Sequence, residues 1–141
     1  MVATDLSTDG RYVVFTSDSS TLVPNDTNNA TDVFLRDNQA KTTERISITD
    51  GDVESALGGY QGLVSANGRF VAFMSDSEDL IIGDTNLSTD VFVRDRQLGT
   101  TARVSRRNGG GQGDGGSYLQ AMTPDGRFIL FAFVLSGAIP G

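Results

Sequence analysis

Asn67-Gly68-Arg69-Phe70-Val71-Ala72-Phe73 decides the fold, because the same heptad stands upstream as Asp9-Gly10-Arg11-Tyr12-Val13-Val14-Phe15 and downstream as Asp125-Gly126-Arg127-Phe128-Ile129-Leu130-Phe131. Its glycines lie at 10, 68 and 126, a constant spacing of 58 residues. Two more blocks keep that register. Asp26-Thr27-Asn28, Thr31-Asp32-Val33-Phe34 and Arg36-Asp37 return as Asp84-Thr85-Asn86, Thr89-Asp90-Val91-Phe92 and Arg94-Asp95. Thr42-Thr43, Arg45 and Ser47 return as Thr100-Thr101, Arg103 and Ser105. A fixed period of this size is the mark of a repeat architecture, in which each unit buries its apolar faces on its neighbours.

Each unit reads as short strands parted by turn residues, with no apolar spacing of the helical kind. Four strands fit one unit: Tyr60 to Ser65 (strand a), Arg69 to Ser75 (b), Asp90 to Arg96 (c) and Thr101 to Ser105 (d). Asn67-Gly68 and Asp125-Gly126 have the composition of a two-residue type I′ hairpin, in which both central residues take positive φ. The b-c connection is long and rich in Ser, Asp and Asn, and the d-a connection is rich in Gly, notably from Asn108 to Gly116. Leu22-Val23 and Leu80-Ile81 are expected to anchor the b-c loops, and the recurring aromatics Tyr12, Phe15, Phe34, Phe70, Phe73, Phe92, Phe128 and Phe131 to pack between sheets.

The sequence thus predicts an all-β chain, a β-propeller of four-stranded antiparallel blades. Residues 1–141 form a single partial module with repeat units 1–58, 59–116 and an incomplete 117–141. Closed propellers need about 4 to 8 blades, so about two and a half blades are expected to complete a ring by homo-oligomerisation. Ala132-Phe133-Val134-Leu135, apolar where the second unit has Met74-Ser75-Asp76-Ser77, reads either as a strand extended into the chain's own core or as a surface for a second copy.

The Ser-Ala-Asn-Gly turn at Ser65 to Gly68, its counterpart Thr123-Pro124-Asp125-Gly126, and the later strands Val33-Phe34-Leu35 and Val91-Phe92-Val93 resemble the TolB-like or PD40 (WD40-like) propeller repeat. The unit of 58 residues is longer than the usual repeat of about 40 to 50, with the excess in the b-c and d-a loops. The resemblance implies a non-enzymatic binding or interaction scaffold in the periplasm or outside the cell. An alternative is an accessory or substrate-gating propeller attached to an enzyme such as a peptidase.

Composition narrows the chemistry. The 141 residues include no Cys, His or Trp, with 11 Lys+Arg against 18 Asp+Glu and a net charge of -7. Thiolate or imidazole metal sites, Ser-His-Asp triads and cysteine nucleophiles are excluded. Phosphate backbones and anionic lipid repel such a chain, so neither nucleic acid nor a membrane is an expected partner. Met1 to Asp5 has neither the basic start nor the apolar stretch of a secretory signal, and the longest apolar run, Phe128 to Leu135, is too short to span a bilayer.

Among candidate sites, Asp26-x-Asn28-x-x-x-Asp32 and Asp84-x-Asn86-x-x-x-Asp90 place hard oxygen donors at loop positions, as calcium loops do. The same letters also describe Asx turns closed by an acid that caps strand c, and both readings stand at this level. Gly111-x-Gly113-x-x-Gly116 has the spelling of a dinucleotide fingerprint but no helix after it, and reads as a linker. The sequons at Asn25, Asn29 and Asn86 carry no assigned role. Acids recurring in both units, among them Asp18/Asp76 and Asp37/Asp95, read as architecture, with Arg11, Arg69 and Arg127 as braces; no catalytic residue is assigned. Antiparallel order puts the a-b and c-d turns on one face and the long loops on the other. Residues 26–32, 84–90 and 109–116 are therefore expected to form a face for a protein, carbohydrate, cationic or metal-bridged ligand. Tyr60 and Tyr118 are expected beside the Gly-rich linkers, toward a central channel, as core side chains in preference to rings that stack on a ligand.

Overall fold

A computed structural model describes residues 1–106 and 115–133, which contain ten strands and no helix. In chain order they are β1 (Val2–Leu6), β2 (Tyr12–Ser17), β3 (Asp32–Asp37), β4 (Thr42–Arg45), β5 (Tyr60–Val64), β6 (Phe70–Ser75), β7 (Asp90–Asp95), β8 (Thr100–Arg103), β9 (Ser117–Met122) and β10 (Ile129–Phe133). The first four form one antiparallel meander, β5 to β8 a second, and β9 pairs with β10. Each sheet falls inside one sequence unit. The registers obey the repeat: β2 and β3 pair from Tyr12↔Asp37 to Ser17↔Asp32, and β6 and β7 from Phe70↔Asp95 to Ser75↔Asp90. Within these pairs Phe15 stacks on Phe34 at 5.6 Å and Phe73 on Phe92 at 5.7 Å between ring centroids.

Strands β3 and β7 are buried along almost their whole length because each is central in its sheet and covered on its faces. Two cores result. Tyr12, Val14, Val33 and Leu35 of the first sheet meet Val64, Val71, Phe73 and Phe92 of the second, and Leu80 joins them with Ile81 packed alongside. Ala72, Met74 and Val91 on the far side of the second sheet meet Leu119, Ile129 and Phe131 of the third. One sheet therefore presents successive residues to two neighbours, as alternation along a strand requires. The sheets stack like propeller blades. Leu80-Ile81 anchors its loop as expected, and Leu22 and Val23 are half-buried.

The hairpin turns correct one expectation. Only the glycine of each turn has positive φ, at 73° for Gly10, 72° for Gly68 and 71° for Gly126; Asp9, Asn67 and Asp125 do not. The Gly68 amide donates to the Ser65 carbonyl at 2.9 Å, closing a four-residue turn over Ser65 to Gly68 instead of a two-residue type I′ turn. Side chains explain the choice. Asn67 Oδ1 accepts from Ser65 Oγ at 2.8 Å and from the Arg69 amide at 3.0 Å, while Ser65 Oγ accepts from the Phe70 amide at 3.0 Å. Ser7 with Asp9 and Thr123 with Asp125 repeat the bracket. Local hydrogen bonds of this kind hold a turn that leaves only one residue in the left-handed region.

Candidate functional site

The two faces inferred from strand order are physically separate. On one, the Arg96 guanidinium donates to the Gly68 carbonyl and Asn38 Nδ2 to the Gly10 carbonyl, tying c-d turns to a-b turns. On the other, b-c loops are sewn to d-a connectors. Asn28 Nδ2 donates to the Ser55 carbonyl at 2.8 Å, Gly59 N to the Thr31 carbonyl at 2.9 Å, Leu57 N to Ser77 Oγ at 3.0 Å and Ala56 N to Asp79 Oδ2 at 2.9 Å. The excess length of the repeat thus builds one continuous surface. Its segment 107–114, which includes most of the Gly109 to Gly116 linker and two glycines of the fingerprint spelling, lies outside the described residues.

The loop acids converge on arginine. Arg45, at the end of β4, sits 3.8 Å from Asp26, 4.0 Å from Asp32 and 2.5 Å from Glu54, with its side chain buried. Arg103 repeats the arrangement at 3.2 Å from Asp84 and 3.7 Å from Asp90. Asp32 Oδ1 accepts from Ser47 Oγ, whose oxygen accepts in turn from the Val33 amide at 3.1 Å; Asp90, Ser105 and Val91 do the same. Asn28 and Asn86 point amide nitrogen, not oxygen, at Asp32 and Asp90, both at 3.0 Å, while their Oδ1 atoms accept from the amides of Ala30 and Ser88 in Asx turns.

A guanidinium therefore sits among the loop acids, and the asparagines turn donors toward them. Among the described residues no three acidic side chains converge as metal ligands. In this arrangement Asp26, Asn28, Asp32, Asp84, Asn86 and Asp90 hold the loops through the arginines, the serines and the Asx turns. Burial pushes the carboxyls of Asp32 and Asp84 up, opposed at Asp32 by the Ser47 hydroxyl, Asn28 and Arg45, and reinforced at Asp84 by neighbouring Asp90. Glu54 falls to about 2, held first by the Thr27 hydroxyl and then by the Thr27 amide and Arg45. Arg45, Arg103, Ser47 and Ser105 are the residues that sequence reasoning left without a partner. Their signal was present, since the Thr-Thr-x-Arg-x-Ser block recurs in register with the acids.

Two of the three expected braces form, at Arg11 and Arg69. Arg11 grips Asp37 through Nε at 3.0 Å and Nη2 at 2.8 Å, and Arg69 grips Asp95 at 3.0 and 2.7 Å. Arg69 holds the Asp95 carboxyl down at about 2, and Arg11 holds Asp37 well below the usual carboxylate range. Arg94 crosses between sheets to Asp52 at 2.8 Å, and the Arg127 guanidinium lies 5.3 Å over the Phe128 ring.

With the loop acids neutralised internally, open space on the long-loop face lies elsewhere. A cleft of about 720 Å³ runs between the second b-c loop, the connector at Ala56-Leu57 and β9, lined by Asp76, Glu78, Asp79, Leu87, Thr89 and Tyr118 among others. Its three acids are exposed and, among the described residues, make no ion pair. Tyr60 donates its hydroxyl to Asp76 Oδ1 at 2.9 Å, which fixes that carboxylate at the wall, and burial pushes the Tyr60 hydroxyl up.

No protein-family model and no curated protein matches the chain. Solved structures do. A putative TolB from Agrobacterium tumefaciens aligns with a TM-score of 0.50 and 23% identity over 94% of this chain and 42% of its own. The fold is a TolB-like β-propeller. TolB from Acinetobacter baumannii aligns at a TM-score of 0.32 and 14% identity over 94% of this chain and 43% of its own. The chain spans less than half the length of these TolB structures.

Proposed function

We propose that this TolB-like propeller segment is a non-enzymatic, self-assembling binding scaffold whose long-loop face takes a cationic protein segment. One observation carries the reading: the cleft beside Tyr118 combines three carboxylates that have no ion-pair partner among the described residues with an exposed aromatic ring and the exposed Leu87. Carboxylates at a half-open wall attract lysine and arginine, and a tyrosine face adds a cation-π contact. The non-enzymatic half rests on repetition. The acids of the loops and braces stand twice, each with its own arginine, whereas catalysis needs one asymmetric set of groups.

Binding of a Lys/Arg-rich peptide and of a neutral oligosaccharide, followed by calorimetry, tests this face. The peptide is expected to bind the native chain, with affinity falling as salt rises, and to lose binding in Glu78→Gln and Tyr118→Ala at unchanged melting temperature. Preference for the oligosaccharide, or peptide binding that survives both substitutions, would overturn the reading.

A further inference from the structure

The contact between blades has the same key residue each time. A Cβ placed on Gly68 would lie 2.5 Å from the Tyr12 ring, and one on Gly126 would lie 2.7 Å from the Phe70 ring. Each glycine turn is thus pressed onto the first aromatic of the preceding b strand. Tyr12, Phe70 and Phe128 are equivalent positions, as are Gly10, Gly68 and Gly126. Phe128 is 62% exposed, and around Gly10 there is no atom within 4 Å of an added Cβ. The described structure therefore ends in an aromatic with no turn over it and begins in a turn with no aromatic beneath it.

Neighbouring positions follow the same rule. Val14 and Ala72 are fully buried under the next blade, while their equivalent Leu130 is 63% exposed. Val64 is buried against the preceding blade, while its equivalent Leu6 is 56% exposed. Ala121, Pro124, Phe128 and Leu130, with Met122 and Ile129 that also pack on the second sheet, surround a mainly apolar depression at the third sheet. At these positions the residue is covered where a neighbouring blade lies against it and exposed at the first or last described sheet, whereas Phe15 and Phe34, equivalent to Phe73 and Phe92, stay buried by stacking on each other.

We propose that a second copy of this chain docks head to tail, its Gly10 turn and Leu6 seated on Phe128 and Leu130 of the first. This rests on the self-assembling reading above and names the surfaces that perform it. Such a contact joins two different patches, so it propagates until the rotation closes a ring or continues as an open array.

Light scattering and native mass measurement on the 141-residue chain across a concentration series, with Phe128→Glu and Leu6→Glu, test it. Both residues are solvent-exposed in the isolated chain, so either glutamate leaves the fold intact. The native chain is expected at multiples of 15.0 kDa that rise with concentration. Each variant alone is expected at the mass of one chain, and an equimolar mixture at two chains and no more, because one intact front face then meets one intact back face. That mixed complex also reports that both variants are folded. Native assembly that both variants keep, or variants that fail to combine, would overturn this interface while leaving self-assembly standing. A native chain that stays at 15.0 kDa up to millimolar concentration would overturn the self-assembling reading itself.

Discussion

Gly10→Ala and Gly68→Ala make a matched pair of perturbations. Both residues close the same turn at the same backbone conformation, φ 73° and 72°, so both substitutions carry the same left-handed strain, about 1 to 2 kcal/mol. They differ in what the new methyl meets. At Gly10 it meets no atom within 4 Å; at Gly68 it would fall 2.5 Å from Tyr12 ring atoms, far inside van der Waals contact. The Tyr12 ring is itself held, with the Arg11 and Arg96 guanidinium groups 4.7 and 5.4 Å from its centroid and the first core beneath it. Relief therefore means moving one blade against the next, an overpacking cost of about 1 to 3 kcal/mol. Gly68→Ala should lose about 2 to 5 kcal/mol and Gly10→Ala about 1 to 2. Urea denaturation at equilibrium reads the difference as a shift in midpoint at constant slope. The Phe128→Glu background keeps the Gly10 turn uncovered during the measurement. Equal losses from the two substitutions would refute the stacking of turn on ring.

Three further outcomes follow from the loop locks and braces. Arg103→Met should destabilise the second blade by about 3 to 5 kcal/mol, because it strands the buried carboxylates of Asp84 and Asp90, and thermal melting reads the loss. Millimolar calcium should neither shift the native melting temperature nor produce heat, because the guanidinium already neutralises the loop acids; a calcium-dependent rise in melting temperature would contradict the lock. Asp95 is lowered from 3.8 to about 2 by Arg69, so its stabilisation is complete above pH 3.8 and is lost as pH falls through about 2. Asp32 and Asp84, raised by burial, act in the opposite sense and are relieved as they protonate. Arg69→Gln should therefore be less stable than the native chain at pH 7 and show a shallower loss between pH 4 and pH 2, by midpoint against pH.

Strand positions were legible because alternation and a rigid period of 58 residues constrain each other: an apolar residue misassigned in one unit is corrected by its copy in the next. The registers of β2 with β3 and of β6 with β7 follow the same period, since Asp32 and Asp37 recur as Asp90 and Asp95. Turn geometry was not. Asn-Gly has the same letters in a type I′ turn and in the four-residue turn, and the difference lies in Ser65, whose hydroxyl takes the Phe70 amide. The ion pairing of the loop acids was not legible because their counter-charge is distant in sequence. Arg45 stands 19 residues after Asp26 and reaches it only when β3 and β4 pair. The acidic cleft at Asp76 to Asp79 was likewise hidden, because nothing in one sequence says which carboxylates a fold leaves unpaired.

The most direct measurement of the central claim, that successive units stack as propeller blades with each glycine turn on the preceding aromatic, is the proton chemical shift of the three turn glycines in the Phe128→Glu chain. Ring currents should move an α-proton of Gly68 and of Gly126 upfield while leaving Gly10 at an ordinary value, and Tyr12→Ala should abolish the shift at Gly68 alone. Three glycines with the same unshifted resonances, or a Gly68 shift that survives Tyr12→Ala, would contradict the stack.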